Sequence, residues 1–477
     1  MLKHRLANFF SQYRLDYPRS LIYILQASEY DIGEYLTWYR QTQDFRRVER
    51  RKRLVYTPKA VCLLVLCWLL AVMLLGGTMM FSITRGWYVL PIVLLLLPVI
   101  LAYGILIPLV LAKFLIQKPA EFFVIRNART RLASHKAVKV SIAGSFGKTT
   151  MREILKTVVA EGKKVAAPPH SYNTPLGISR FIQTLNGNEE VLIFELGEHY
   201  PGDIKKLCDL VRPDIGVITG VNEAHLEKFK TLERTTATIF ELADYLGEKR
   251  MYVNGESERA RGALRRGHIT YDRTQVGQWQ IHHPHTGLDG TAFTMIKDDT
   301  KMELHSSLLG LHQIGPLAAA ADIALSLGLS PEQVKSGIAN TKPFDHRLEP
   351  KTDTSGVVTL DDSYNGNPDG VKAVIEFLTS LEGHRRWYVT PGLVEMGPKT
   401  EQVHREIGRR LAEAEIEHVI LVRNSVTPFI AEGLKSAHYA GKVMWFDDAL
   451  AAFAALPHLT VRGDVVLLQN DWPDQYR

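Results

Sequence analysis

Cysteine is scarce: the 477 residues contain three, Cys62, Cys67 and Cys208, too few and too scattered for a disulfide framework or a cysteine zinc site. A reducing compartment fits that scarcity. Low-complexity tracts and tandem repeats are also missing. With 46% apolar and 23% charged residues, their absence excludes a disordered, collagen-like or coiled-coil chain. The first 30 residues carry charges throughout and no compact apolar core, so they do not read as a cleaved signal peptide. Charge itself is absent over 25 residues from Ala60 to Thr84 and over 27 from Gly86 to Ala112, with Arg85 alone between them. Each run exceeds the roughly 20 residues that a helix needs to cross a hydrocarbon core, and together they predict a two-helix transmembrane hairpin.

The charge that is present is unevenly placed. The net +6 averages +9 over residues 1–118 with −3 over residues 119–477. The basic excess is densest at Arg46 to Arg53, RRVERRKR, just before the first apolar run. Lys113, Lys118, Arg126, Arg129 and Arg131 follow the second. Positive flanks stay cytoplasmic, so both termini are expected in the cytoplasm and the protein in the plasma membrane. Trp87 and Tyr88 suit an interfacial position, and Pro91, Pro98 and Pro108 predict kinks in the second helix. Residues 1–56 interleave aromatic residues (Tyr17, Tyr35 and Phe45 among them) with arginine. Two readings stand: an interfacial helix on anionic lipid, or a small helical cap packed on the soluble part. No nucleic-acid module is visible, and the soluble part is slightly acidic.

From about residue 137 short apolar runs alternate with amphipathic stretches and glycine turns. VKVSIAG, EVLIFELG and DIGVITGV read as buried strands, with MREILKTVVAEG and TTATIFELADYLG as helices. A second stretch begins near Pro343, with VVTLDDSY, RRWYVTPG, HVILVRN and DVVLLQN as strands and VKAVIEFLTSL and VHREIGRRLAEA as helices. This alternation predicts an α/β fold with mostly parallel sheets.

The strongest local signal is Gly144-Ser145-Phe146-Gly147-Lys148-Thr149-Thr150, between a predicted strand and a predicted helix. Glycines there let backbone N–H groups wrap phosphates, the helix N-terminus adds positive potential, Lys148 reaches terminal phosphates and Thr149 can ligate magnesium. Ile142 departs from the general phosphate-loop spacing. Glu195 and Gly197 end the next strand, where a carboxylate can face a nucleotide-bound metal. His225, in Asn222-Glu223-Ala224-His225, follows a third strand at the same predicted sheet edge.

Taken in order, GSFGKTT (144–150), YNTPLGI (172–178), ELG (195–197), NEAHLEKF (222–229), GLHQ (310–313), HRLE (346–349), DDSYNGNP (361–368) and GLVEMG (392–397) resemble the Mur ligase family of ATP-dependent amide-forming ligases in peptidoglycan synthesis. The resemblance covers about residues 137–470. DDSYNGNP and VHREIG (403–408) are closest to its D-alanyl-D-alanine-adding branch, the MurF type. It implies a phosphate-loop central domain and a Rossmann-like C-terminal domain, with ATP and Mg2+ bound between them. In that mechanism a substrate carboxylate attacks the γ-phosphate to give an acyl phosphate, which an amine then opens.

By the resemblance, Gly144, Ser145, Gly147, Lys148, Thr149 and Thr150 hold the phosphates, and Thr149 and Glu195 the nucleotide-bound magnesium. His225 belongs to a second metal position, Arg347 lies near the γ-phosphate, Asp362 on the ribose and His312 near the adenine. Asn173, Thr174 and Asn365 line the substrate side. Four features depart from the family pattern. The N-terminal UDP-sugar domain is replaced by a basic segment and two apolar runs. Thr236 stands where a carbamylated lysine is expected. His312-Gln313-Ile314-Gly315-Pro316 lacks the amide expected on adenine. Gln469-Asn470-Asp471 replaces a Lys-Gly-Ser segment. His282, His283 and His285 offer metal-ligand chemistry, but Pro284 and Gly287 make a solvated loop the simpler reading.

The expected organisation is a basic N-terminal segment (1–56), a transmembrane hairpin (57–118, spans about 60–83 and 87–112), a central ATPase domain (119–341) and a C-terminal domain (342–477). The expected activity is a membrane-anchored carboxylate–amine ligase acting on a cell-envelope precursor with an amino acid or peptide, in contact with the bilayer and with membrane or cell-wall enzymes as partners. Two alternatives are a poly-γ-glutamate-synthase-like ligase and a degenerate nucleotide-binding scaffold for cell-wall enzymes.

Overall fold

A computed structural model describes residues 10–42, 44–49, 53–85, 89–169, 172–222, 229–363, 366–394 and 396–470. The chain divides into two units, residues 1–123 and 124–477. In the first, the described residues of the uncharged runs are helical apart from Ile105. One helix runs unbroken from Pro58 to Arg85. The second run forms Val89–Gly104 and Leu106–Ala112, followed by a π-helical turn Lys113–Gln117. The helix is interrupted at Ile105 and continues past Pro98. Pro108 accounts for that break, because it offers no N–H to the Gly104 carbonyl and its ring crowds the preceding turn. Both helices are long and apolar enough to cross a membrane. Large apolar side chains along them lie exposed, including Val72, Met73, Met80, Ile83, Ile92, Leu95 and Ile107.

The aromatic N-terminal segment forms helices Tyr17–Ala27 and Ile32–Gln41 and a 3-10 turn Phe45–Arg47. Tyr17, Leu21, Ile24, Tyr35 and Phe45 share one core with Ala60, Leu63, Cys67, Ala71, Leu101, Ala102 and Ile105 of the apolar helices. Hydroxyls of Tyr13, Tyr17 and Tyr35 donate to the carbonyls of Leu95 (2.7 Å), Pro98 (3.2 Å) and Ala102 (2.9 Å). The segment is helical and forms a cap, but the surface it covers is not the soluble part expected for it. It packs on the apolar helices themselves, because its aromatic side chains find their apolar partners there.

In the second unit, residues 138–306 build a ten-stranded sheet. Its strands are β1 Val138–Ala143, β2 Val165–Ala166, β3 Val191–Glu195, β4 Ile215–Ile218, β5 Met251–Asn254, β6 Ile269–Tyr271, β7 Gln275–Val276, β8 Trp279–Gly287, β9 Gly290–Lys297 and β10 Thr300–Ser306. Their spatial order is β10-β9-β8-β7-β6-β5-β4-β1-β3-β2. The β2-to-β6 half is parallel, and the β6-to-β10 half is antiparallel. Strands β1, β3 and β4 are nearly continuous apolar sequence because helices cover both faces. Met151, Ile154, Leu155 and Val158 of helix Lys148–Ala160 pack on one face with Leu317 and Ala318. Ile178, Phe181, Leu207, Ile239 and Leu242 pack on the other, joined by Ala128 and Leu132. His282, His283 and His285 correct the loop expectation: they lie on β8, exposed, with a bulge between His282 and His285. Among the described residues no group of three His, Cys, Asp or Glu side chains is placed to hold a metal.

The C-terminal sheet comprises β11 Glu349–Thr352, β12 Val358–Asp362, β13 Arg386–Thr390, β14 His418–Val422, β15 Lys442–Phe446 and β16 Val465–Gln469. Its order is β11-β12-β16-β13-β14-β15, parallel except for β11. Helices Thr400–Glu413 and Thr427–Ser436 approach backbone to backbone at two glycines. A Cβ on Gly408 would sit 2.1 Å from the Ile430 carbonyl oxygen, and one on Gly433 2.1 Å from that of Arg405. Replacing Gly408 with alanine forces these helices apart, and should lower stability by ~2 kcal/mol. Thermal unfolding of the detergent-solubilised protein reads that loss, and an unchanged melting temperature would contradict the close approach.

Candidate active site

The site begins with strand register. Ile142 of β1 pairs with Glu195 of β3, and Ala143 pairs with Ile218 of β4, so three carboxyl ends finish at one level. Open α/β sheets bind ligands at that edge. The loop after β1 turns on Gly144 (φ 148°) and Gly147 (φ 73°), values that favour glycine. A Cβ on Gly144 would lie 2.2 Å from the Thr219 hydroxyl. That hydroxyl donates to the Phe146 carbonyl, and the Ser145 N–H donates to the Gly220 carbonyl at 2.9 Å. The loop is thus fastened to the end of β4. Helix Lys148–Ala160 starts immediately afterwards. The amides of Lys148, Thr149 and Thr150 lie in its first turn, where backbone donors have no intrahelical acceptor and suit an anion.

Among the described residues the side chains at this edge gather around two carboxylates, Glu198 and Glu195. The Lys148 ammonium donates to the Gly144 carbonyl and to both Glu198 carboxylate oxygens, at 3.0 and 3.1 Å. The Thr149 hydroxyl donates to Glu195 at 3.0 Å. Arg152 and Asn173 also donate to Glu195, at 3.4 and 3.5 Å. Glu195, Glu198 and Arg152 are all buried. A hydroxyl beside a carboxylate is a hard-oxygen donor pair that fits Mg2+. Asn173 also accepts the Gly197 N–H at 2.9 Å through its carbonyl, which places it against the Glu195 strand end. Thr174 caps helix Pro175–Thr184, accepting the Gly177 N–H at 3.2 Å. His225 and Asn365, like Trp87, Tyr88 and Asp471, lie outside the described residues. Thr236 spends its hydroxyl on the Leu232 carbonyl at 2.8 Å and brings no carboxylate.

Central and C-terminal domains are joined by polar bridges that sequence reasoning missed. The Asn222 amide donates to Asn367 and Asp369, both at 2.9 Å. Arg273 pairs with Glu256 at 3.0 Å on its own domain and with Glu376 at 2.6 Å on the other. A cleft of about 660 Å3 opens here, lined by Glu256, Asp272, Arg273, Lys372, Glu376 and Arg410. Residues 144–150 do not line it. His312 is influenced by the same charges: burial, aided by Arg273, pushes its imidazole down to about 4. It is therefore neutral near pH 7, with Nδ1 enclosed and without a partner among the described residues.

On the C-terminal domain Arg347 sits in a turn closed by a Phe344–Arg347 bridge, close enough to influence Asp362 at the end of β12. The Gln469 amide donates to the Asp362 carboxylate at 2.8 Å. Asn470 accepts the Gly366 N–H at 3.0 Å and donates to the Gly392 carbonyl at 2.6 Å. These two residues, standing where a Lys-Gly pair was expected, serve as internal fasteners. His404, fully buried, donates from Nδ1 to the Thr400 carbonyl at 2.6 Å and accepts the Leu393 N–H at 2.9 Å through Nε2, pinning the 392–397 motif. Burial pushes Asp362 up to about 6, against the lowering influence of Gln469 and Arg347. An unfolded aspartate titrates near ~3.9, so the folded state loses stability through this group as pH rises from about 4 to about 6. Asp362→Asn should therefore be more stable than the wild type at pH 8, by ~3 kcal/mol, and no different at about pH 3, below both titrations. Melting curves at both values check this, and equal stability at pH 8 would refute it.

Comparison with known proteins places this geometry. The Mur ligase middle domain model matches residues 142–324, and the Mur ligase, glutamate ligase domain model matches residues 346–469. UDP-N-acetylmuramoyl-tripeptide--D-alanyl-D-alanine ligase of Bacillus subtilis is 25% identical over 332 residues, covering 69% of this chain and 72% of the relative. The Mycobacterium bovis protein of the same name is 29% identical over 294 residues, covering 59% of this chain and 58% of the relative. The match thus spans less than two thirds of the mycobacterial relative's length. Among solved structures, MurF ligase from Thermotoga maritima in complex with ADP superposes with a TM-score of 0.66 at 24% identity, covering 74% of this chain and 80% of that one. The two domain models match in chain order on the two α/β domains, and the chain belongs to the Mur ligase family.

Proposed function

We propose that this protein is a membrane-anchored, ATP-dependent ligase that joins a carboxylate to the amine of an amino acid or peptide on a cell-envelope precursor. The single observation that carries the reading is the sheet edge itself: a glycine loop, Lys148, and the Thr149–Glu195 oxygen pair within one turn of a helix N-terminus. The names of the curated relatives suggest the first pair to test, a muramoyl-tripeptide carboxylate and D-alanyl-D-alanine.

In this reading the first-turn amides and Lys148 bind the β- and γ-phosphates of ATP. Mg2+, when bound by Thr149 and Glu195, offsets phosphate charge, with His225 assigned to a second metal position. An acceptor carboxylate oxygen attacks the γ-phosphorus and ADP leaves. The amine nitrogen then attacks the acyl carbon, the C–O bond to phosphate breaks, and the amine gives up a proton. Such phosphoryl transfer depends on alignment and charge stabilisation more than on a strong base. Arg347 is assigned to the γ-phosphate, Asp362 to the ribose and neutral His312 to the adenine. Asn173, Thr174 and Asn365 are assigned to the acceptor side. Asn222 and Arg273 hold the two domains in register for this work.

The apolar helices are assigned to the plasma membrane as two spans, with both termini and both catalytic domains cytoplasmic. Their length, their bare apolar side chains and the basic flanks support this. Phosphate release by the purified protein with ATP, Mg2+ and panels of carboxylates and amines tests the activity. One pair should stimulate turnover, and Lys148→Ala should reduce it about a hundredfold or more. ATP binding with no stimulation by any pair would instead favour a nucleotide-binding scaffold. A reporter fused after Arg477 should be active in the cytoplasm, and activity confined to the outside would overturn the topology.

A further inference from the structure

The contact between Lys148 and Glu198 has no part in the roles assigned so far. An ammonium carries three protons. Here they face three oxygens, the Gly144 carbonyl and both carboxylate oxygens of Glu198. Glu198 is 2% exposed, so little water screens the pair. Its position follows from the chain: Glu198 comes three residues after Glu195 at the end of β3, and β3 runs beside the strand that leads into the loop. Phosphate oxygens reaching Lys148 need the protons that Glu198 holds, and a phosphate placed there would also face a second anion about 3 Å from the same nitrogen. Like charges so close in a buried site repel strongly.

We propose that Glu198 is an internal competitor for Lys148, so that a nucleotide's terminal phosphates bind by exchanging places with this carboxylate. Glu198 then sets nucleotide affinity and is a positioning residue acting through Lys148. The displaced carboxylate gives up a close cationic contact while still buried, which is costly. A divalent cation arriving with the phosphates supplies one. Exchange therefore makes the site discriminate between metal-bound and metal-free nucleotide, penalising the second. The inference rests on the phosphate-loop reading above.

Isothermal titration of ADP into the detergent-solubilised full chain, with Mg2+ and with a chelator, tests it. Glu198→Gln keeps the shape and removes the charge. The expected result is metal-free ADP binding tightened about tenfold or more in this variant, with a smaller gap between the metal-free and Mg2+ arms than in the wild type. Glu198→Ala should shift in the same direction, and melting curves establish that both variants fold. A role confined to holding the loop's shape predicts the opposite, weaker binding in both variants. If the wild type binds ADP, Lys148→Ala does not, and Glu198→Gln binds metal-free ADP no tighter than the wild type, the competitor role is refuted while the phosphate loop stands. If neither the wild type nor Glu198→Gln binds ADP in either arm, the phosphate-loop reading fails and the exchange with it.

Discussion

Alignment of the carboxyl ends of β1, β3 and β4 is the constraint on which the site depends. Parallel pairing sets Ile142 against Glu195 and Ala143 against Ile218. The loop can therefore rest on Thr219 and Gly220 on one side while Thr149 meets Glu195 on the other. A one-residue slip of β3 would turn every one of its side chains to the opposite face. Burial on both faces prevents that slip, since Leu192 and Phe194 belong to one core and Val191 and Ile193 to the other. Hydrophobic packing, with no chemistry of its own, holds the polar groups in position.

The second level of organisation is the balance of buried charge. Glu195 is set beside Arg152, and Glu198 beside Lys148, so each carboxylate at the sheet edge has a cation within reach. On the C-terminal domain the same balance is weaker at Asp362, where the neutral Gln469 amide donates to the carboxylate and Arg347 acts on it as a nearby charge, yet burial prevails. A lysine there would supply a full positive charge and favour the ionised carboxylate. Glutamine leaves burial dominant and the acid pushed up to about 6. The departure from the family pattern at Gln469 thus changes the electrostatics of a neighbouring residue, while Gln469 and Asn470 still fasten the loops they touch.

Much of the fold was legible because the relevant signals are local. Apolar runs such as VLIFE and HVILV, bounded by glycine or charge, read as buried strands and are strands. The glycines before Lys148 mark the loop, and the amphipathic stretches at 151–162 and 371–381 are helical as far as Ala160 and Thr379. Strands β6 to β10 were not legible, because β7 is two residues long and β8 alternates weakly across a bulge at its histidines. The aromatic segment left two readings open because what buries Tyr17 and Tyr35 lies some 65 to 80 residues away. Glu198 and Arg273 stand outside every motif, while Asn222 and Gln469 fall in motifs that do not reveal what they bind. Their significance comes from partners that only tertiary structure supplies, although the acid three residues after Glu195 was a visible signal.

The helical cap has a consequence for the proposed bilayer setting. It packs against Ala60 to Ala71 and Leu101 to Leu109, the end of the hairpin flanked by basic residues. Other faces of the same stretch keep Val61, Val65, Trp68, Leu69 and Ile107 bare. The hydrophobic band is therefore taller on one side of the hairpin than on the other. Lipids adjust to such a difference by local thinning, and helices adjust by tilting. The cap, besides completing a core, would make this anchor a wedge with a preferred lean.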